Sequence, residues 1–477
     1  MPTYQDRRSS GVASLGEIPN HWPVTALKRV LSEPLKYGAT EPGDESDPNS
    51  PRYLRITDFD GDGSLREDTF VSLPEEIARH YYLRDGDVLF ARSGATVGKT
   101  FLFRNYSGRA CFAGYLIKAS TARHKLTPEF LTYFTRSPAY DAWKDSIFTQ
   151  ATIQNIGADK YARLPICLPP LPEQQRIAAY LDASCAVLDA AVAAKRRQLE
   201  TLDALRKSII QRAVTRGISE SVTLKSTGNA WMEQIPQGWK LVCLKRIAAI
   251  QGGLTLGKPY EGPLIERPYL RVGNVQDGHL DLAEVSVIEL PASVAKGVEL
   301  RPDDVLMTEG GDLDKLGRGY LWKGEIPECL HQNHIFAVRC FLHKLKPRFL
   351  AYVTAAKYGR DYFEATGKKT TNLACTNATK VGEFPIPLPR LTEQEAICAY
   401  LEKKLGEVKN IVTGIEAQIA TLTAYRKSLI HECVTGQRRI SEADVRQAEQ
   451  GGGQFVPPLA LGLGMNGGTQ RGGIHHE

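Results

Sequence analysis

The sequence predicts a mixed α/β (α+β) fold, in which two tandem, pseudo-symmetric globular domains are separated by two long helices that form an antiparallel coiled coil. Three observations lead to this prediction. The chain repeats itself at a spacing of about 220 residues. Each copy ends in a proline-rich segment, and each then continues into a long run of apolar residues spaced by threes and fours. At 477 residues the chain is also too long for a single ordinary core.

The opening of each copy carries the first part of the repeat. Residues 16–30 read GEIPNHWPVTALKRV, and residues 233–247 read EQIPQGWKLVCLKRI. The match continues downstream, where Tyr-Leu-Arg at 53–55 returns at 269–271. Such a repeat is too long for a stacked solenoid, so it indicates a duplicated domain. The identical opening positions are Ile18, Pro19, Trp22, Leu27, Lys28 and Arg29 in the first copy and Ile235, Pro236, Trp239, Leu244, Lys245 and Arg246 in the second.

The globular part of the first copy consists of short β-like runs separated by clusters of Gly, Asp, Asn and Pro. Such runs lie at Tyr53–Ile56, Val88–Arg92 and Thr100–Phe103, with brief helical patches elsewhere. We therefore expect mixed α/β domains over residues 1–170 and 225–390.

A proline-rich elbow closes each copy and starts a helix. LPICLPPLPEQQRIAAYLD at 164–182 matches FPIPLPRLTEQEAICAYLE at 384–402, and proline suits the first turn of a helix but not its interior. Glu173 follows directly, where a negative charge suits the helix dipole. We expect the two helices to span residues 171–217 and 391–437.

Each predicted helix carries a narrow apolar stripe, as coiled-coil packing requires. A straight helix of this length would run roughly 64 Å at ~1.5 Å per residue, so the two stripes must bury each other or a partner. Gly217 and Gly436 follow as helix stops, and Leu205 and Ile411 share the spacing of the stripe. The stripe residues predicted to form the coiled coil and to dock partners are Ile177, Leu181, Leu188, Leu202, Ile209, Ile397, Leu401, Val408, Ile415, Leu422 and Leu429.

The bulk composition is ordinary for a soluble globular protein, with 42% hydrophobic and 24% charged residues. A net charge of +6 permits nucleic acid as a partner without demanding it. We expect no membrane span and no secretory signal. Nine cysteines without a C-x-x-C pair indicate a reducing cytoplasm, and Cys167, Cys185 and Cys398 are expected to be small buried hydrophobes. Residues 438–477 are Gly-rich, and we expect them to be disordered.

Several segments imitate catalytic or nucleotide-binding motifs without the required context. Ser93–Thr100 resembles a phosphate-binding loop, but serine stands at its first glycine position and a strand-like segment follows, so we predict a hairpin turn. The G-x-G-x-x-G at 462–467 lies in the tail with no room for a helix after it. Asp312, Asp314 and Lys315 resemble part of a nuclease cluster that the first copy lacks. We expect no catalytic residue, metal site or cofactor in this chain.

Two diverged domains held apart by antiparallel helices form a pseudo-two-fold object that suits duplex DNA. Half-sites about one helical turn (~34 Å) apart lie on the same face of the duplex, and a rigid spacer sets that separation. Because the two domains differ in sequence, the predicted target is asymmetric and bipartite.

The duplicated motifs resemble those of the specificity subunits of type I restriction–modification enzymes. The shared motifs are the I-P-x-x-W-x-x-x-x-L-K-R openings, the P-I-x-L-P-x-L-x-E-Q-x-x-I-x-A-Y-L helix starts, and R-K-S-x-I followed by V-T at each helix end. They occur in the family's order over about residues 10–440. The resemblance implies that residues 1–170 and 225–390 are target-recognition domains and that the helices dock two methyltransferase subunits. It also implies that the partner subunits supply S-adenosylmethionine-dependent adenine methylation and, through a restriction and translocation subunit, ATP- and Mg-dependent cleavage.

Candidate DNA contacts lie in two pairs of polar loops, one pair in each copy. Base readout needs side chains that can make paired hydrogen bonds to base edges, and other side chains neutralise phosphate. An ordinary solvated loop is the alternative for each. The candidates are Arg92, Ser93, Thr96, Lys99, Gln150, Thr152, Gln154 and Asn155 in the first copy, and Lys315, Arg318, Lys368, Lys369, Thr370, Thr371 and Asn372 in the second.

Other conspicuous side chains fit structural roles. Trp22, Trp239, Tyr180 and Tyr400 are expected to pack in the core. The Arg-Lys pairs at 206–207 and 426–427 fit a phosphate contact, a partner contact or a solvated helix end equally well.

Three other functions compete with the recognition subunit. A stand-alone DNA-binding regulator with a duplicated domain would bind its site without partner subunits. A coiled-coil scaffold would show no salt-dependent DNA affinity. A fused enzyme would need a catalytic domain for which the length leaves no room.

Overall fold

The computed structural model describes residues 3–43, 47–60, 63, 65–148, 155–311, 315–369 and 374–451. The chain divides into two compact units. The first unit comprises Met1–Lys195 and Ala417–Glu477, and the second comprises Arg196–Glu416. Each unit therefore contains one globular domain and part of both long helices, Leu171–Arg216 and Leu391–Val434.

The first globular domain is built on a four-stranded antiparallel sheet with strand order Lys36–Tyr37, Leu116–Ala119, Asp87–Ala91, Thr100–Phe103. The central strand, DVLFA, is buried along its whole length. Its side chains alternate between two cores, since Val88 and Phe90 pack in one and Leu89 and Ala91 in the other. The shorter strand pairs are Arg7–Ser9 with Glu17–Pro19, Val24–Ala26 with Pro165–Cys167, and Arg52–Leu54 parallel to Ala110–Phe112. The α-helices are Glu75–Ala78, Pro128–Phe134, Pro138–Phe148 and Ala158–Tyr161.

The second globular domain repeats this plan. Its four-stranded antiparallel sheet has the strand order Ala248–Gly252, Ile335–Cys340, Val305–Thr308, Gly319–Leu321. A three-stranded sheet has the order Ser286–Leu290, Ile265–Leu270, Leu330–His331, and two-stranded pairs join Leu224–Asn229 to Met232–Pro236 and Lys240–Cys243 to Pro385–Leu388. The α-helices are Ala292–Val298, Pro347–Ala355, Lys357–Thr366 and Ala378–Glu383. The predicted fold of two related α/β domains is therefore confirmed.

The two long helices pack against each other in an antiparallel sense. In the first unit, Ile177 and Leu181 from the start of one helix share a core with Leu429 from the end of the other. In the second unit, Val214 from the end of the first helix shares a core with Ile397 from the start of the second. The predicted antiparallel pairing is confirmed, because in each unit the start of one helix meets the end of the other.

The repeated Trp and Glu residues form a junction between each domain and its helix. Trp22 is fully buried and its indole N–H donates to the Glu173 carboxylate at 3.1 Å, and Trp239 donates to Glu393 at 2.9 Å. In the first unit Tyr4 also donates to Glu173, at 2.8 Å. Burial raises the pKa of Glu173, but these hydrogen bonds and one from His21 outweigh it and hold the pKa below its ordinary value. The carboxylate therefore serves as a partly buried hydrogen-bond acceptor as well as a complement to the helix dipole.

The glutamine that follows each of these glutamates fastens the helix start to the domain. Gln174 is fully buried, donates to the carbonyls of Lys125 and Pro169 at 2.8 Å each, and accepts from the backbone N–H of Thr127 at 2.9 Å. Gln394 repeats all three bonds in the second unit, at 2.8–3.0 Å, with Lys344, Pro389 and Lys346. The duplicated E-Q motif is thus a structural clamp.

The helix ends are held by glycines in the left-handed conformation, with φ of +77° at Gly217 and +69° at Gly436. This confirms the predicted helix stops, since such φ values strain any residue with a side chain. Gly436 lies so close to Pro19 and Trp22 that a Cβ there would collide with the proline ring.

By length and composition alone, the helix Leu171–Arg216 is long and apolar enough to cross a membrane. This differs from the expectation that the chain contains no segment of this kind. Much of its apolar character comes from alanine. Its carboxylates are paired within the first unit, because Asp182 accepts from Tyr133 at 2.5 Å and Asp189 pairs with Arg426 at 2.9 Å. These are the contacts of a helix that packs against protein.

The C-terminal segment differs in part from the disordered tail expected over 438–477. Residues 442–449 form the helix Glu442–Glu449, which Ser441 and Asp444 cap reciprocally. This capping box supplies hydrogen bonds that a Gly-rich composition does not suggest. Residues 452–477, including the G-x-G-x-x-G at 462–467, lie outside the described residues.

Candidate nucleic-acid interface

The segment resembling a phosphate-binding loop is a hairpin turn, as predicted. The strands Asp87–Ala91 and Thr100–Phe103 pair antiparallel on either side of it. The backbone N–H of Ala91 donates to Lys99 O at 2.8 Å, and Gly98 takes a φ of +84° that closes the turn. A short 3-10 turn at Gly94–Thr96 is followed by a strand, so the amide array of a phosphate loop at a helix start does not form here.

Three predicted residues of the first domain come together at this turn. Ser93 and Asn155 form an antiparallel bridge, and the backbone N–H of Ile156 donates to Arg92 O at 2.9 Å. The Arg92 guanidinium lies over the Tyr37 ring, 4.9 Å from its centroid. Thr96 and Lys99 lie on the same turn, and Lys99 is exposed. Gln150, Thr152 and Gln154 lie outside the described residues.

Two exposed tyrosines beside Arg92 were not predicted from the sequence. Tyr37 is 42% exposed and Tyr115 is 68% exposed, and the backbone N–H of Arg92 donates to Tyr115 O at 3.0 Å. Exposed tyrosine hydroxyls beside an arginine are suited to contacting the phosphate oxygens of a duplex. Sequence reasoning overlooked them because each lies on or beside a short strand, where tyrosine is usual.

The second domain has the equivalent turn, between Val305–Thr308 and Gly319–Leu321. Thr308 holds it closed: its side-chain hydroxyl donates to Lys315 O at 2.6 Å and accepts from the Arg318 N–H at 3.1 Å. Gly317 has a φ of +65° in the position of Gly98. The predicted residues Lys315 and Arg318 therefore lie on the counterpart of the turn that carries Lys99.

The structure also brings Lys368 and Lys369 beside this turn. The strand Lys368–Lys369 pairs with Ala374–Cys375, and Ala374–Cys375 pairs in turn with Gly310–Gly311. Lys368 is exposed. The other candidates of this loop, Thr370, Thr371 and Asn372, lie outside the described residues, as do Asp312 and Asp314.

Two residues that sequence reasoning missed stand at the base of the second turn. The Glu309 carboxylate lies 3.2 Å from Nδ1 of His334, and His334 is exposed. A 610 Å³ cavity opens beside His334, and its wall includes Arg271, Asp281 and Glu284. The matching Asp-Val-Leu runs at 87–89 and 304–306 could have located Glu309, because aligning these runs places Glu309 at the position of Arg92 in the repeat.

A cavity of 240 Å³ with a cationic wall lies behind the first turn. Lys99, Lys144 and Arg426 line it together with one carboxylate, that of Asp141. Burial raises the pKa of Asp141, but hydrogen bonds from Lys427 and Lys144 outweigh it and lower the pKa. Asp141 therefore carries its charge and anchors Lys427, 2.8 Å away, to the domain.

The Arg-Lys pairs near the helix ends make contacts with their own units. Arg206 lies 3.2 Å from Asp277, which also accepts from Arg360 at 2.9 Å. Arg426 contacts Asp189 on the neighbouring long helix at 2.9 Å. These arginines therefore help fasten the helices within their units.

The predicted stripe residues are placed unequally. Leu205 and Ile411 are 47% and 52% exposed, so the stripe is narrower than their spacing suggested. Tyr400 is exposed, contrary to the packing role expected for it, while Tyr180 packs against the first core. Buried stripe residues are Ile177, Leu181, Leu188, Ile397, Leu401, Val408, Ile415 and Leu429, and partly buried ones are Leu202, Ile209 and Leu422.

The cysteines Cys167, Cys185 and Cys398 are buried, as predicted. Burial raises the pKa of Cys167 to about 12 and that of Cys185 to about 11, so both thiols stay protonated. Within the described residues, no group of three or more His, Cys, Asp or Glu side chains is arranged to hold a metal ion.

Comparison with known proteins gives one consistent family. Residues 45–201 match the family described as "Type I restriction modification DNA specificity domain". Over 473 residues the chain is 23% identical to the type I restriction enzyme EcoKI specificity subunit of Escherichia coli K12, covering 96% of this chain and 98% of that protein. It is 22% identical to the StySPI specificity subunit of Salmonella potsdam, covering 76% and 77% respectively. A chain from a solved structure of a type I R-M system shares the fold, with a TM-score of 0.67 at 19% identity, covering 87% of this chain and 98% of that one.

Proposed function

We infer that this chain, which belongs to the specificity subunits of type I restriction–modification enzymes, is the part of such an enzyme that reads the DNA target. Each globular domain reads one half of an asymmetric, bipartite site. The observation that carries this proposal is the duplicated turn, which has one backbone plan in both domains but different side chains. Because the two turns share a backbone conformation but carry different side chains, they form two related surfaces that prefer different bases.

The charge and exposure of the candidate surface support DNA as the ligand. Lys99 is exposed on the first turn and Lys368 is exposed on the strand beside the second turn, so both can neutralise phosphate. The exposed Tyr37 and Tyr115 carry hydroxyls that can donate to phosphate oxygens. Among the candidates, Ser93, Thr96 and Asn155 supply short polar groups for positioning on the backbone or a base edge.

We further propose that the chain has no catalytic centre and that it assembles with two methyltransferase subunits and with restriction and translocation subunits in the cytoplasm. Those subunits would bind S-adenosylmethionine, ATP and Mg. On the long helices, the exposed Leu205 and Ile411 are apolar positions that a partner helix could cover. This division of labour lets one recognition subunit direct both methylation and cleavage to the same target.

The proposal is tested by measuring DNA binding of the full-length chain, in its native assembly, against salt concentration. Counterion release predicts that log K falls linearly with log salt, and specific binding predicts a target duplex bound about 10³-fold or more tightly than random duplex. A purely scaffolding chain would show neither effect. Affinity that is independent of salt and of sequence would refute the proposed function.

A further inference from the structure

The hairpin turns after Asp87–Ala91 in the first domain and after Val305–Thr308 in the second are held by the same pattern of backbone hydrogen bonds. In the first, the Arg92 N–H donates to Tyr115 O at 3.0 Å and Arg92 O accepts from the Ile156 N–H at 2.9 Å. In the second, the Glu309 N–H donates to His334 O at 2.8 Å and Glu309 O accepts from the Thr376 N–H at 2.8 Å. Arg92 and Glu309 therefore occupy the same position.

The agreement extends to the residues on either side. Ala91 exchanges backbone hydrogen bonds with Gly98 and Lys99, and Thr308 does so with Gly317 and Arg318. The strands leading into the position are equivalent central strands of the four-stranded sheets. A pattern shared this closely directs the side chain at this position to the same side of each domain, as the Cα–Cβ direction follows the backbone.

The two side chains are opposite in charge and are supported differently. The Arg92 guanidinium rests on the Tyr37 ring, which limits its rotation and leaves its hydrogen-bond donors available at the ring's edge. In the second sheet, Gly252 occupies the position equivalent to Tyr37, so no ring is available there to support the side chain. The Glu309 carboxylate is contacted instead by His334, whose Nδ1 lies 3.2 Å away. Both positions are half-buried, and an exposed aromatic or imidazole ring lies beside each.

The chemistry of base edges separates these two side chains. Arginine can donate two hydrogen bonds to O6 and N7 of guanine in the major groove, whereas a carboxylate can only accept and so fits the N4 amino group of cytosine. A carboxylate is repelled by phosphate, so a glutamate that faces DNA favours a base amino group over the phosphate backbone.

We propose that Arg92 and Glu309 are equivalent specificity-determining residues, Arg92 selecting guanine in one half-site and Glu309 selecting cytosine in the other. This inference rests on the proposed function, because it assumes that the two surfaces face DNA. Tyr37 and His334 are positioning residues, which hold the reading side chains without themselves selecting the base. The opposite charges at one structural position then account for part of the asymmetry of the target.

The test is to select duplexes from a randomised library with the native assembly containing the wild-type chain, Arg92→Gln or Glu309→Gln. Glutamine pairs with N6 and N7 of adenine, so each variant should exchange its guanine or cytosine for adenine at one base pair. The expected change in preference at that pair is about 5- to 150-fold, the fold-change given by one good side-chain–base pair. The other half-site should keep its wild-type sequence in each variant, which makes the two variants controls for each other.

Exposed residues of the same charge serve as matched controls. Arg79→Gln and Glu289→Gln change the same side-chain types at exposed positions of the first and second domains and should leave every base preference unchanged. If Arg92→Gln weakens binding equally on all sequences, the arginine contacts phosphate and the proposal is wrong. Unchanged motifs in both variants would overturn the proposal while leaving the proposed function standing, whereas a wild-type chain that selects no sequence would overturn both.

Discussion

Replacing the clamp glutamine by methionine should loosen one unit and leave the other intact. Gln174→Met keeps the size of the side chain but removes its three hydrogen bonds, to Lys125 O, Pro169 O and Thr127 N. Each backbone group left without a partner costs about 1 kcal/mol or more, so we expect a loss of roughly 3 kcal/mol. If local opening at the junction becomes easier by this amount, backbone amides there should exchange with solvent about 150-fold faster.

Hydrogen exchange read by mass spectrometry suits this test because it resolves the two units peptide by peptide. Gln174→Met should speed exchange at peptides covering residues 125–127 and 171–182, and the twin variant Gln394→Met should act at 344–346 and 391–402. Gln198→Met, at an exposed position of the first long helix, is the matched control. Acceleration no greater than that of the control, or acceleration spread equally over both units, would refute the clamp.

Three further predictions concern stability and DNA binding. Burial lowers the pKa of His331 to about 4, so as pH falls below about 6.5 the unfolded chain binds a proton at His331 that the folded chain does not bind. The free energy of unfolding of the second unit should therefore fall by about 3 kcal/mol between pH 6.5 and pH 4. His331→Phe, which copies Phe112 of the first domain, should flatten that pH dependence in denaturant titrations; an unchanged slope would contradict it. Gly253→Ala should cost more than about 2 kcal/mol of unfolding free energy because its Cβ would overlap the carbonyl oxygens of His331 and Gln332, whereas Gly252→Ala meets open space and should be tolerated; equal losses would exclude this explanation. Lys99→Ala should reduce the slope of log K against log salt by about 1 without altering the selected sequence, and a changed sequence preference would exclude a phosphate role.

The long helices and the duplication were predictable because their signals are local or repeated. Apolar spacing identifies a helix within a few turns, and proline and glycine mark its limits. Leu205 and Ile411 show the limit of that signal. Spacing by threes and fours marks more than one position in each turn as part of the apolar stripe, and only the packing of the folded chain decides which of them is buried. The same limit applies to Tyr400, whose neighbours in the sequence do not reveal that it points outward.

The candidate site was only partly predictable because its contacts join distant parts of the chain. Arg92 and Asn155 were both predicted, but the bridge beside them joins residues about 60 apart, which no local pattern reports. Tyr37, Tyr115 and His334 come to the turn through sheet pairing. Glu309 was overlooked for another reason: a negative charge fits the proposed DNA-binding surface only once the equivalence of Glu309 to Arg92 is known.

The most direct test of the account is a map of adenine methylation across the source genome, with and without this gene. We expect one motif that consists of two unlike specified segments separated by unspecified base pairs, and we expect deletion of the gene to remove it. A motif that is palindromic or uninterrupted, or one that persists after deletion, would contradict the claim that the two domains of this chain each read a different half of the target.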